Sequence, residues 1–106
     1  MTGAQMVTVG LLIRVEAKPD KVPEVEAMLK SAVDHVREEG LAVAWFALRL
    51  GPTTFGIFDA FVDEADRQAH LEANGKTLRG PAAAELFAGS PSIEHIDVIA
   101  AKLPGE

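Results

Sequence analysis

An α+β domain in the order β-α-β-β-α-β is the fold this sequence predicts. Four short runs rich in β-branched and aromatic residues alternate with longer stretches whose apolar residues recur at three and four. The second and third runs are separated only by Leu50-Gly51-Pro52-Thr53, a turn composition that makes them a hairpin. The order repeats one β-α-β half, which is the ferredoxin-like arrangement with an antiparallel sheet.

Each element has its own warrant. Met6 to Ala17 is the first strand, with Val7, Val9, Leu11, Ile13 and Val15 on one parity and Leu12 on the other. Gly10 marks a bulge or the close approach of another backbone. A helix follows over Lys21 to Glu39, capped by Asp20, with Pro23 tolerated in its first turn. Val22, Val25, Met28, Leu29, Ala32, Val33 and Val36 form its apolar stripe, and Gly40 stands at the C′ position. Leu41 to Leu50 and Thr53 to Val62 are the hairpin strands. With an even number of loop residues, Trp45 sits opposite Phe58. Ala44, Phe46 and Leu48 then share the other face with Phe55, Ile57 and Asp59, and an odd loop reverses this pairing.

Asp63 caps the second helix, with Asp66 three residues on as a weaker capping box. That helix runs to about Ala73, where Asn74-Gly75 stops it. A further helical piece covers Lys76 to Phe87, interrupted at Gly80-Pro81, with Leu78, Ala83, Leu86 and Phe87 inward. Ser92 to Lys102 is the last strand.

Composition bounds the function. The chain has 106 residues, one domain's worth, with the core between about 7 and 102. A net charge of −6 without a basic run argues against nucleic acid and anionic membranes. The absence of cysteine excludes disulfides, thiolate nucleophiles and Cys-based zinc sites, and it suits a reducing cytoplasm. Met1 to Gln5 shows no signal pattern, and the longest apolar run, Val9 to Ile13, is too short for a bilayer. The expected location is cytoplasmic. The strands are apolar on both faces, whereas helices cover only one, so the surplus sheet face must bury against something. A homodimer with its two sheets face to face is the expected solution.

Ionisable groups converge between Phe55 and His70. The pattern Asp59-Ala60-Phe61-Val62-Asp63 leading to His70, in this element order, resembles the antibiotic biosynthesis monooxygenase domain. That group of dimeric α+β barrels includes quinol monooxygenases, and the resemblance covers roughly Val7 to Lys102. It implies a pocket between sheet and helices, and oxidation of phenolic or quinol-like substrates by O2 without metal or flavin. Members commonly carry Glu where Asp59 stands and Trp where Phe61 stands. The heme-degrading branch needs an Asn in the first strand, a Trp in the third and a His in the second helix. Here the only Asn is Asn74 and the only Trp is Trp45, so heme breakdown is disfavoured.

Within this resemblance His70 is the candidate base, because imidazole titrates near neutrality. Asp66, four residues earlier on the same helix, would hold its tautomer. Asp59, set among Ile57, Phe61 and Phe46, is a candidate proton donor or acceptor. Phe46, Phe55 and Phe61 would wall a flat ring, and Arg14 or Arg49 would balance anionic charge. Each has a structural account as well: a helix-edge His70 bonded to Asp66 or water, an Asp59 tying the strand end, and Phe residues packing the core. Trp45 and Phe58 read as dimer-core residues, and Glu38-Glu39 as a solvated helix end. His35 and His95 read as structural. Three histidines without close spacing make no metal site, and no cofactor is expected.

Two functions follow. The first is a cofactor-independent, O2-using oxidase or monooxygenase of a small aromatic quinol or phenol. The alternative is a non-catalytic, small-ligand-binding or stress-associated dimer. A cavity of roughly 300 Å³ or more beneath the second helix, walled by His70, would favour the enzyme. A closed, Phe-filled core would favour the alternative.

Overall fold

The computed structural model describes residues 6–105. Its elements run β1 (Val9–Glu16), α1 (Val22–Glu39), β2 (Ala44–Arg49), β3 (Thr54–Phe61), α2 (Glu64–Arg79), α3 (Pro81–Leu86) and β4 (Ser92–Asp97). The strands form one antiparallel sheet in the order β2-β3-β1-β4. That is the ferredoxin-like arrangement, with the most apolar strands, β1 and β3, in the centre.

The helices cover one face. Leu11, Ile13 and Val15 of β1 and Phe55, Ile57 and Phe61 of β3 pack there against Val25 and Leu29 of α1 and against Ala83 and Phe87. On α1 the expected stripe faces inward, and Gly40 closes the helix in the left-handed region (φ 71°), its N–H donating to Val36 O. The N-cap is Lys21 rather than Asp20, with no side-chain cap bond. Asp63 does cap α2, its carboxylate accepting from Asp66 N–H at 2.9 Å.

Two features of the chain differ from or decide between the sequence readings, and both matter for the site. Asn74-Gly75 does not stop the second helix, which continues to Arg79. Asn74 turns its amide back onto His70 O, one helical turn earlier, at 2.8 Å. A local stop signal therefore loses to side-chain bonding and packing, and the break falls at Gly80-Pro81, where proline lacks the N–H. The last strand is also shorter, ending at Asp97.

The second is the hairpin register, which the sequence leaves open between an even and an odd loop. Arg49 pairs with Phe55, so an odd number of residues, 50–54, separates the last paired positions, with Leu50 N–H donating to Thr54 O at 2.8 Å. Every β2 side chain is thereby moved to the face opposite the even-loop reading. Trp45 pairs with Asp59 on the helix face, and Phe46 pairs with Phe58 on the open face, ring centroids 6.3 Å apart. Phe46 is 54% exposed there.

Gly10 is the predicted close approach. A Cβ at this position would lie 2.6 Å from the Asp59 carbonyl oxygen. Among the described residues, no helix is long and apolar enough to cross a membrane.

Candidate functional site

Asp59 lies on β3 between Leu11 of β1 and Trp45 of β2, so the pleat turns its side chain under the helices. It is fully buried. Above it lies α2, whose buried residues are Arg67 and His70 rather than leucines or valines. A helix that buries a cation and an imidazole is held by polar contacts. Arg67 donates to Gly10 O and Ile96 O, each at 3.1 Å, and pairs with Glu64. This clamps α2 onto the β1–β4 edge and fixes His70 over β3.

His70 sits between two carboxylates. Nε2 lies 3.1 Å from Asp59 Oδ2, and Nδ1 meets Glu39 Oε1 at the C-terminus of α1. Asn74 completes the array, donating to Glu39 Oε2 at 3.0 Å. The Phe61 ring lies against the imidazole, centroids 5.2 Å apart. Burial pulls the imidazole pKa down, but Asp59 and Glu39 together outweigh burial and hold it above its usual value. The His70–Asp59 contact is within ion-pair range yet lacks hydrogen-bond alignment, so neither Asp59 oxygen has a hydrogen-bond partner among the described residues. A buried acceptor left in that state is costly and calls for a donor.

Asp59 and His70 form part of the wall of a cavity of about 80 Å³, otherwise lined mainly by Leu11, Met28, Ile57 and Leu78, with Trp45 and Asn74. The core is not closed, but the volume is well below 300 Å³. No Lys or Arg lines the cavity. Among the described residues, no three His, Cys, Asp or Glu are grouped so as to hold a metal ion.

The structure thus brings His70 and Asp59 together and separates the three phenylalanines. Phe46 is on the wrong face, for the register reason above. Phe55 is buried on the helix face, beneath the Arg49 guanidinium at 4.7 Å, and borders a different cleft beside Glu26. Phe61 packs behind His70. The aromatic in the cavity wall is Trp45, read from the sequence as a dimer-core residue. Asp66 is not the partner of His70. Glu39 is, although Glu38-Glu39 reads as a solvated helix end: its side chain is only 11% exposed. Arg49 pairs with Glu26, Arg14 is exposed on the open face, and His35 and His95 are exposed. Neither Glu39 nor Arg67 has a local sequence signal. Glu39 lies 31 residues from His70, and Arg67 lies 57 from Gly10.

No family model matches the chain, and comparison with curated proteins gives no match. The fold itself, one antiparallel sheet backed by helices, is shared with solved structures named as antibiotic biosynthesis monooxygenases. A crystal structure named as an antibiotic biosynthesis monooxygenase superposes with TM-score 0.71 at 17% identity, over 87% of this chain and 99% of that one. The PA3566 protein of Pseudomonas aeruginosa gives 0.73 at 17% identity, over 92% and 100%. Much nearer is the NE2512 protein of Nitrosomonas europaea, of unknown function: TM-score 0.87 and 42% identity, over 97% of this chain and 100% of that one. The chain belongs to the same family as that Nitrosomonas protein.

Proposed function

We propose that the protein is an O2-using oxidase or monooxygenase of a small aromatic quinol or phenol, working without metal or flavin. The observation that carries this reading is the buried Asp59–His70 pair in the wall of an apolar cavity, with Glu39 behind His70. An electron-rich quinol reacts with O2 once deprotonated, so the protein need supply only a dry pocket and a proton acceptor. Asp59 and His70 form that acceptor pair, and Glu39 and Asn74 orient the imidazole. In the oxidase form the quinol loses two protons and two electrons, O2 takes both, and the products are quinone and hydrogen peroxide. In the monooxygenase form one oxygen atom enters a ring carbon. That carbon's single hydrogen and the hydroxyl hydrogen leave with the other oxygen atom as water, so a phenol and O2 give a quinone and water.

The working unit in this reading is a homodimer. Phe46, Leu48 and Leu50 are exposed beside half-buried Leu12 and Phe58. A self-complementary apolar face is most simply covered by the same face of a second copy. The cysteine-free composition suits a cytoplasmic setting.

The small cavity favours a second reading, a dimer that binds a small ligand without turning it over. Oxygen uptake by metal-stripped protein, against a panel of reduced quinones and phenols with His70→Ala alongside, separates the two. Consumption above autoxidation that the variant loses is the expected result. Wild type and variant both at the blank rate would refute turnover.

A further inference from the structure

The cavity also constrains what binds in it. We infer that this site selects a neutral, single-ring hydroxyl donor, with its O–H given to Asp59 and its ring against Trp45, and that it rejects anions and fused polycycles. This deepens the proposed reading and rests on the same cavity, but it concerns binding and stands whether or not turnover follows.

Three observations support it. The first is the orphan acceptor. Asp59 is fully buried in the cavity wall, and neither carboxylate oxygen has a hydrogen-bond partner among the described residues. Since Oδ2 is already within ion-pair range of His70, Oδ1 is the position left for an outside donor. A ligand hydroxyl satisfies it, while an ether or a bare ring leaves it unpaired. The second is charge. Two carboxyl groups flank one imidazole, and no Lys or Arg lines the cavity to balance an anionic ligand. A carboxylate ligand would meet repulsion in a poorly solvated site. The third is size. The cavity of about 80 Å³ lies well below the roughly 300 Å³ at which pockets for drug-sized ligands begin, so it suits one small ring rather than fused rings. Leu11, Met28 and Ile57 offer apolar contact to a ring, and Asn74 and Thr77 are the other polar side chains of the lining.

Trp45 is the sole tryptophan and lines the cavity, so its fluorescence reports occupancy without any need for turnover. The full-length protein is titrated with phenol, anisole and benzoate, exciting at the red edge where these probes absorb little, and with 2-naphthol by calorimetry, because it absorbs and emits where tryptophan does. Phenol is expected to give saturable quenching. Anisole should bind about 10- to 100-fold more weakly, the range expected for a hydrogen bond to a charged acceptor. Benzoate should bind at least as weakly as anisole, and 2-naphthol more weakly than phenol despite its larger apolar surface. In Asp59→Asn, with fold checked by circular dichroism, the preference for phenol over anisole should shrink to a fewfold.

Equal binding of phenol and anisole by the wild type overturns the inference, as does benzoate or naphthol binding more tightly than phenol, or no saturable quenching by any probe. These outcomes need no variant to fold. Phenol selectivity with no oxygen uptake would uphold this inference and sink turnover. Uptake confined to fused-ring substrates would do the reverse.

Discussion

Gly10 and Gly75 offer the same substitution with opposite expected signs. At Gly10 an alanine Cβ would lie 2.6 Å from the Asp59 carbonyl oxygen, which is backbone and cannot rotate aside. A comfortable C···O contact is about 3.3–3.6 Å, so the two chains must separate by about 0.7–1.0 Å. β1 cannot yield freely, because it is hydrogen-bonded to β3 on one side and β4 on the other. Overpacking of this kind costs about 1–3 kcal/mol, or roughly 4–24 °C in melting temperature for a domain of this size. At Gly75, inside α2, an added Cβ meets nothing within 4 Å. Gly75→Ala should therefore stabilise by about 0.5–1 kcal/mol through helix propensity alone. Urea and thermal unfolding of both variants beside wild type measure this. A Gly10→Ala protein as stable as wild type would refute the close approach of β1 to β3. A Gly75→Ala protein less stable than wild type would refute a continuous α2 and restore the stop that Asn74-Gly75 signals in sequence.

The remaining predictions concern charge and assembly. His70 has its pKa raised in the folded protein, so folding favours the imidazolium. Its stabilising contribution is complete below the unfolded value of about 6.5 and is lost as pH rises through the higher folded value. The stability gap between wild type and His70→Gln should narrow as pH is raised from about 6 to 9, and a gap constant across that range would contradict the paired imidazolium. On the homodimer proposed above, wild type should be dimeric and Phe46→Glu, on the open face, monomeric by light scattering, with monomer stability changed by no more than about 0.5 kcal/mol. A variant dimer as tight as wild type would place the interface elsewhere.

Much of this molecule is legible along the chain. The 3.6-residue stripe of α1, the β-branched runs of β1 and β3, the Asp63 cap and the Gly40 terminus are local signals, and each acts through residues within a turn or two of itself. They determine the element order and hence the ferredoxin-like sheet. The family resemblance places Asp59 and His70 at one pocket, while the chain itself offers Asp66, four residues before His70, as the imidazole's partner.

Only the tertiary structure decided what surrounds that pair. One residue more or less in the 50–54 loop moves every β2 side chain across the sheet, which is why Trp45 rather than Phe46 lies beside Asp59. Glu39 reaches His70 because the end of α1 packs beside α2, a contact across 31 residues for which acidic helix ends give no local sign. α2 passes through Asn74-Gly75 because Asn74 finds its partners on His70 and Glu39. Local chemistry sets which elements form. Loop parity and packing between distant segments set which side chains share a cavity, and those depend on the whole chain at once.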